Sequence, residues 1–294
     1  LTITAGTGLV TFTGAVGGSA RLGTLKIVSA GNVVAAALTL AAFDQDAGTG
    51  TTTFGGAVNT STAAGVVVAN TSLVVNAGVT TASSGVVTFL QSGATTIAAA
   101  GDITADGAVS ITSTSGTATL GDITTTNDAI TFASATTLGG AIALLAGSGD
   151  ILFSSTLADA SRVLTITSAG TATFVGNVTL SDLILPASAA TVTFNGTANA
   201  FTANVDFRNS GLVTFGDATG DGSSFDAGAT FTGGSAVALQ GTITTTNDAL
   251  TFPAAVTLGA ASALNTGTGG GNIQFATTLN GAQNLTITAG TGNV

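Results

Sequence analysis

Cysteine, methionine, tryptophan, tyrosine and histidine are all missing from this 294-residue chain, and only 6% of its residues carry charge. Typical soluble proteins carry about 25%. Glutamate is missing too. All fourteen acidic residues are aspartate, and the four basic ones are Arg21, Lys26, Arg162 and Arg208. The lack of cysteine removes any disulfide framework or thiolate metal site. It leaves the compartment open, because a chain with a large core needs no staples outside the cell. Four scattered cations do not neutralise a phosphate track, which argues against nucleic-acid binding. Nor do they make a basic patch for a membrane surface. The longest apolar run, Val33 to Phe43 with Thr39 inside it, is too short to cross roughly 30 Å of hydrocarbon. Membrane β-barrels carry girdles of tryptophan and tyrosine, and this chain has neither, so no membrane insertion is expected. The sparse aspartates read as what keeps an otherwise neutral surface soluble.

Helix-favouring residues are scarce. Threonine, valine, isoleucine and fifteen phenylalanines favour strands. The 42 glycines fall between apolar stretches, as in Ala5-Gly6-Thr7-Gly8, where chain corners need positive φ or close approach of backbones. Proline occurs only as Pro186 and Pro253. No glycine-rich loop carries the lysine or the strand–helix context of a phosphate site.

A short motif, apolar–polar–Phe, recurs as Val10-Thr11-Phe12, Val87-Thr88-Phe89, Ile130-Thr131-Phe132, Ala172-Thr173-Phe174, Val192-Thr193-Phe194, Val213-Thr214-Phe215 and Leu250-Thr251-Phe252. Phe132, Phe153, Phe174, Phe194 and Phe215 follow one another at intervals of 21, 21, 20 and 21 along the chain. Phe12 and Phe54 lie 42 apart with Val33 midway, and Phe89 and Phe132 lie 43 apart with Ile111 near the middle. A unit of this length fits three short strands joined by turns, one triangular coil that stacks on the next at about 4.8 Å. The fold predicted is an all-β parallel β-helix (β-solenoid) of about 21 residues per coil and roughly fourteen coils, a rod of roughly 65–70 Å at that spacing. It is read as one continuous solenoid over residues 1–294.

Alternation assigns the faces. In Val-Thr-Phe the outer two residues share a face, so they fill the lumen and the threonine meets water. The phenylalanines are therefore expected to stack inside, in phase with valine and isoleucine, rather than to form an exposed ladder that grips sugars. The series slips twice, from Phe54 to Phe89 and from Phe215 to Phe231. Each slip is either a shortened coil or a phenylalanine moved to another face.

A longer repeat overlies the coils. Gly121-Asp122-Ile123-Thr124-Thr125-Thr126-Asn127-Asp128 returns as Gly241-Thr242-Ile243-Thr244-Thr245-Thr246-Asn247-Asp248, and Leu1-Thr2-Ile3-Thr4-Ala5-Gly6-Thr7-Gly8 returns at Leu285–Gly292. No polar capping segment appears at either end, and solenoid edges need covering. The expectation is therefore an excerpt of a longer repeat array, or a subunit whose ends are covered by neighbours. With no leader segment and Leu1 first, a mature or excerpted portion is expected.

Few residues are candidates for chemistry. Enzymes on β-helices cluster Asp with His, Lys, Arg or a cation. Asp102 with Asp122, and Asp128 with Asp150, could stack on adjacent coils as carboxylate pairs, but each has a Gly or Asn neighbour, which suits a solvated turn. Arg162 and Arg208, 46 apart, do not suggest a site. Asp217-Ala218-Thr219-Gly220-Asp221-Gly222 resembles the first half of a calcium loop, yet Gly228 stands where the bidentate Glu belongs, leaving Asp226 as a substitute. Thr-x-Thr pairs (Thr2/Thr4, Thr11/Thr13, Thr165/Thr167, Thr191/Thr193, Thr286/Thr288) raise ice binding, but they miss many coils, and outward threonine is the default strand residue. No catalytic, cofactor or metal residues are assigned, and calcium is the one ion with any sequence support.

The Leu-Thr-Ile-Thr-Ala-Gly-Thr-Gly, Val-Thr-Phe-Thr-Gly-Ala-Val and Gly-Asp-Ile-Thr units resemble those of filamentous-haemagglutinin-like and autotransporter-type bacterial surface adhesins. The resemblance covers the whole chain. It implies a right-handed β-helix shaft, secretion across an outer membrane, and a place on the bacterial cell surface. Neither the secretion-recognition domain nor the outer-membrane anchor of that family is evident here. The function expected is a structural shaft of an extracellular fibre or adhesin, not an enzyme. The alternative is a self-assembling subunit of a filament, sheath or surface layer, joined end to end through its terminal coils. A polysaccharide-active enzyme is the distant third reading. The partners expected are flanking repeats of the same chain or identical subunits, and any surface glycan or protein ligand is unspecified.

Overall fold

A computed structural model describes every residue from Leu1 to Val294, and all its regular elements are β-strands. No helix is long and apolar enough to cross a membrane. The chain forms two compact units, Leu1–Gly149 and Asp150–Val294. Each is a parallel β-solenoid.

In the first unit each coil visits three faces. One face carries Thr2–Thr4, Leu25–Ser29, Phe43–Gln45, Val66–Asn70, Val87–Gln91, Val109–Ser113 and Ile130–Phe132. The second runs from Val10–Phe12 through Thr51–Phe54 and Thr95–Ile97 to Thr136–Leu138, and the third from Leu38–Leu40 through Ile103–Ala105 to Ile142–Leu145. Strands stack in parallel, like residue above like. Val66, Val87, Val109 and Ile130 form one file at steps of 21, 22 and 21 along the chain. With Leu25 and Phe43 they make six successive inward residues, none more than 1% exposed.

The second unit has the same plan. Ile151–Phe153, Thr171–Phe174, Thr191–Phe194, Val213–Phe215, Val237–Leu239, Val256–Leu258 and Leu279–Asn280 line one face. Seven strands on this face of each unit make fourteen coils in all, as the repeat period requires. Phe153, Phe174, Phe194 and Phe215 stack with ring centroids 5.4, 5.1 and 5.5 Å apart and planes within 9°. The coil spacing dictates this, because identical side chains in register must lie about 4.8 Å apart.

Both slips in the phenylalanine series are changes of face. The in-register successor of Phe54 is Val75, while Phe89 lies between Val68 and Ile111 on another face. The successor of Phe215 is Leu239, and Phe231 instead stacks on Phe207 (4.9 Å) and lies against Phe252 (5.3 Å) with the planes tilted by 35°. One inferred register is corrected. Phe12 and Phe54 are bridged by Ala35, not Val33, because the two coils between them are unequal, the first step being 23 and the second 19. Corner loops absorb such differences without disturbing the ladders.

At corners the backbones come close. Gly65 has φ +59°, and a Cβ there would sit 1.9 Å from the Val86 carbonyl oxygen, so no other residue fits without moving the next coil. The duplicated Thr-Thr-Thr-Asn-Asp corner folds alike in both units. Asn127 and Asn247 take φ +63° and +66°, and the hydroxyls of Thr125 and Thr245 donate to the carbonyls of Asp128 and Asp248.

Candidate functional site

The parts of a solenoid that determine its mechanical behaviour are the contacts joining one coil to the next. Three kinds occur here. The phenylalanine and aliphatic files are the first. The second is a set of side-chain clasps at the corners. Asp102 Oδ1 accepts the Asp122 amide (2.9 Å), and Asp122 Oδ1 accepts the Ala143 amide (2.7 Å). Asp150 does the same for Thr171 (3.0 Å), Asn32 for Thr51 (2.7 Å), Asn177 for Ala198 (3.1 Å), Asn247 for Gly269 (2.6 Å) and Asn272 for Asn293 (2.8 Å). Each clasp reaches a residue 19 to 22 positions on, which is the equivalent corner of the next coil. A side chain with one methylene reaches an adjacent backbone amide at these corners. This accounts for the use of aspartate and asparagine where glutamate is absent.

These bonds also involve three of the candidate carboxylates, Asp102, Asp122 and Asp150. Asp102 and Asp122 do stack on adjacent coils, as their spacing suggests, but each spends an oxygen on a backbone amide. Asp128 and Asp150 belong to different units. In the calcium-like segment, Asp221 is only 5% exposed and its Oδ2 accepts the amides of Asp217 (2.8 Å) and Ala218 (2.9 Å). Asp226 accepts the Thr246 hydroxyl (2.7 Å), and nowhere do three acidic side chains converge. The segment is a turn tied by its own carboxylate. The Thr-x-Thr pairs lie on different faces: Thr191 and Thr193 lie on the face of Phe174, and Thr165 and Thr167 on the neighbouring one.

The basic residues are bound locally. Arg21 donates to the Leu40 carbonyl and to Asn59 Oδ1, both at 2.6 Å. Lys26 donates to Asp44 and Asp46, both at 2.7 Å, and these bonds raise its pKa above the ordinary lysine value. Arg162 lies 3.6 Å from Asp159, whose pKa is lowered chiefly by the Ser161 hydroxyl and amide. Arg208 Nε lies 3.0 Å from Asp206.

The third kind of contact does not follow from the rule that threonine faces water. That rule holds for Thr173, Thr193 and Thr214, but Thr52, Thr95, Thr117 and Thr136 are buried inside the first unit. Thr52, Thr95 and Thr117 meet a buried row of Gln45, Asn70, Gln91 and Ser113 at one interior corner, while Thr136 donates to the Ser134 carbonyl (3.2 Å). Thr52 donates to Gln45 Oε1 (2.7 Å). Gln91 donates to the Val68 carbonyl (2.9 Å) and Asn70 Oδ1 (3.2 Å), and accepts from Thr95 (2.8 Å), which lies 2.6 Å from the Ser113 hydroxyl. The signal was present in the phase of the strands. In Thr51-Thr52-Thr53-Phe54 an inward Phe54 puts Thr52 inward as well. Hydrogen bonds of this kind fit only one register, whereas an all-aliphatic file tolerates a slip.

No protein-family model, curated protein sequence or solved structure matches this chain.

The clasp reading makes a prediction. Asp122→Ala should lower stability by about 0.5–1.5 kcal/mol, the net worth of one hydrogen bond. Asp122→Asn, which keeps the acceptor, should stay within about 0.5 kcal/mol of the parent in urea unfolding. Equal losses in both variants would show that the charge, not the clasp, matters.

Proposed function

We propose that the chain is a structural shaft of an extracellular bacterial fibre or adhesin, a stiff repetitive element without catalysis. The observation that carries this reading is the continuity of coil-to-coil bonding within each unit. Parallel ladders run on three faces, the lumen is filled by phenylalanine and aliphatic files, and corner side chains clasp successive coils. Bending such a stack would open ladder bonds on one face and compress close-packed side chains on another, and interiors resist both. The carboxylates and cations outside the lumen are largely engaged in these same contacts. The extracellular and bacterial part of the proposal rests on the resemblance of the repeated units to surface adhesins.

A second reading has one observation in its favour. Leu1–Gly8 and Leu285–Gly292 are the same eight residues, so coils from different copies could present like edges to one another and add strand to strand. Negative-stain electron microscopy of the purified chain across a concentration series separates the two. Separate particles whose size stays constant with concentration are expected for a shaft. Filaments that lengthen with concentration would overturn the shaft in favour of the assembling subunit.

A further inference from the structure

The chain offers an endopeptidase of the trypsin type only four bonds, those that follow Arg21, Lys26, Arg162 and Arg208. Such enzymes seat the basic side chain in an acidic pocket beside the bond they cut. In a folded protein they reach that bond only where the basic residue is free and its neighbours leave the structure at little cost. Three of the four sites fail this condition. Arg21 donates to the carbonyls of Leu40 (2.6 Å) and Asn59 (3.1 Å) and to Asn59 Oδ1 (2.6 Å). The residue after it, Leu22, donates to the Thr39 carbonyl (3.1 Å) and accepts the Ala41 amide (2.7 Å). Lys26 holds Asp44 and Asp46 and stands in the ladder between Thr2 and Asp44, followed by Ile27, which is wholly buried. Arg208 has an exposed side chain, but Phe207 and Asn209 on either side of it are both 0% exposed. A Cβ on Gly233 would lie 2.0 Å from the Arg208 carbonyl oxygen, so the Gly233 backbone presses on the bond that would be cut.

Arg162 is placed differently. Asp159 pairs with Leu180 and Val163 with Asp182, so Ala160, Ser161 and Arg162 stand opposite Ser181 alone. A bulge leaves its extra residues outside the regular ladder, and all three of these are exposed. The Arg162 guanidinium lies 3.6 Å from Asp159, with 45% of its side chain exposed. An exposed pair of that length is easily given up. Asp159 Oδ1 accepts the Ser161 amide (3.0 Å) and hydroxyl (2.7 Å), and the Ala160 carbonyl accepts the Thr202 hydroxyl (3.2 Å). Exposed side-chain bonds thus hold the bulge, where buried neighbours or ladder bonds hold the other three sites.

We propose that the Arg162–Val163 bond is a processing site for an arginine-specific endopeptidase of the trypsin type, cut while the chain is folded. Hydrolysis adds one water across this amide and leaves a carboxylate on Arg162 and an amino group on Val163. Both ends of the cut stay on one neighbouring strand. Leu157, Ala158 and Asp159 pair with Val178, Thr179 and Leu180, and Val163, Leu164 and Thr165 pair with Asp182, Leu183 and Ile184. Leu157 and Leu164 are buried on either side of the bulge. The two pieces, of 162 and 132 residues, therefore remain joined by ladder bonds and core packing. The site follows from the bulge and does not depend on the shaft reading.

The test is limited digestion of the full folded chain with trypsin, followed by intact-mass measurement, denaturing electrophoresis and gel filtration. The first products are expected to be residues 1–162 and 163–294, which elute together at the volume of the uncut chain. Arg162→Gln should slow the first cut about ten-fold or more, because the acidic pocket loses its charged partner, and Arg162→Lys should restore it. Arg162 is exposed on a bulge, so both variants should fold, and thermal unfolding by circular dichroism checks this. A first cut at Arg21, Lys26 or Arg208 would overturn the proposal. So would a folded chain that trypsin leaves whole while it cuts the urea-unfolded chain, or an Arg162→Gln variant cut as fast as the parent. Separation of the two pieces on gel filtration would overturn their retention.

Discussion

Phe174→Asp is expected to destabilise the second unit by more than about 4 kcal/mol, while Thr173→Asp, one residue away, is expected to cost less than about 1 kcal/mol. Phe174 is wholly buried, with Phe153 stacked at 5.4 Å and Phe194 at 5.1 Å. Truncating a buried phenylalanine alone costs about 3–5 kcal/mol. An aspartate there adds the burial of a charge, and no cation or donor in the file can meet it, because its neighbours in register are also phenylalanines. Thr173 lies on the outward side between Leu152 and Thr193, where a carboxylate keeps its water and only strand propensity is lost. Urea unfolding followed by circular dichroism measures both. Similar losses in the two variants would reject the inward and outward assignment for that strand. Repeat arrays unfold by segments, so the comparison is between variants of one chain rather than with an absolute stability.

Gln91→Leu is expected to lower the stability of the first unit by about 2–4 kcal/mol despite the apolar gain. Its amide group is the centre of the interior polar row. Removing it leaves the Val68 carbonyl and Asn70 Oδ1 without the donor they use, and takes away the acceptor of the Thr95 hydroxyl. Gln91 is 3% exposed, so water does not replace these bonds. A neutral or stabilising result would show that aliphatic packing can substitute for the row, as happens when buried polar groups are replaced together with their partners. A loss restored by the double change Gln91→Leu with Thr95→Val would locate the cost in the unsatisfied hydroxyl.

Much of this architecture is legible in the order of residues. The regular recurrence of Phe132, Phe153, Phe174, Phe194 and Phe215 implies coils of three short strands, and alternation within Val213-Thr214-Phe215 correctly puts the valine and phenylalanine inside. Asp102 and Asp122 are legible as neighbours on adjacent coils, though not as clasps. Other features are not legible, for identifiable reasons. An apolar–polar–Phe motif carries no label for its face, so Phe89 and Phe231 could not be told from shortened coils. Thr52 and Thr95 carry the most common outward side chain but sit in an inward phase, and only a buried amide within reach makes that position stable.

Local chemistry thus belonged to the sequence: strand propensity, inward phase, glycine corners and the near absence of charge follow from residue type and from the two periods, that of the strand and that of the coil. The tertiary structure decided everything that depends on register between coils. The face a residue occupies is set by the running total of corner lengths, which vary enough that the step from Phe12 to Ala35 is 23 and that from Ala35 to Phe54 is 19. The clasps and the bonds that Gln91 makes to Val68 and Asn70 join residues about one coil apart, and a hydrogen bond tolerates only a few tenths of an ångström in length, so none of these exists until that total is fixed.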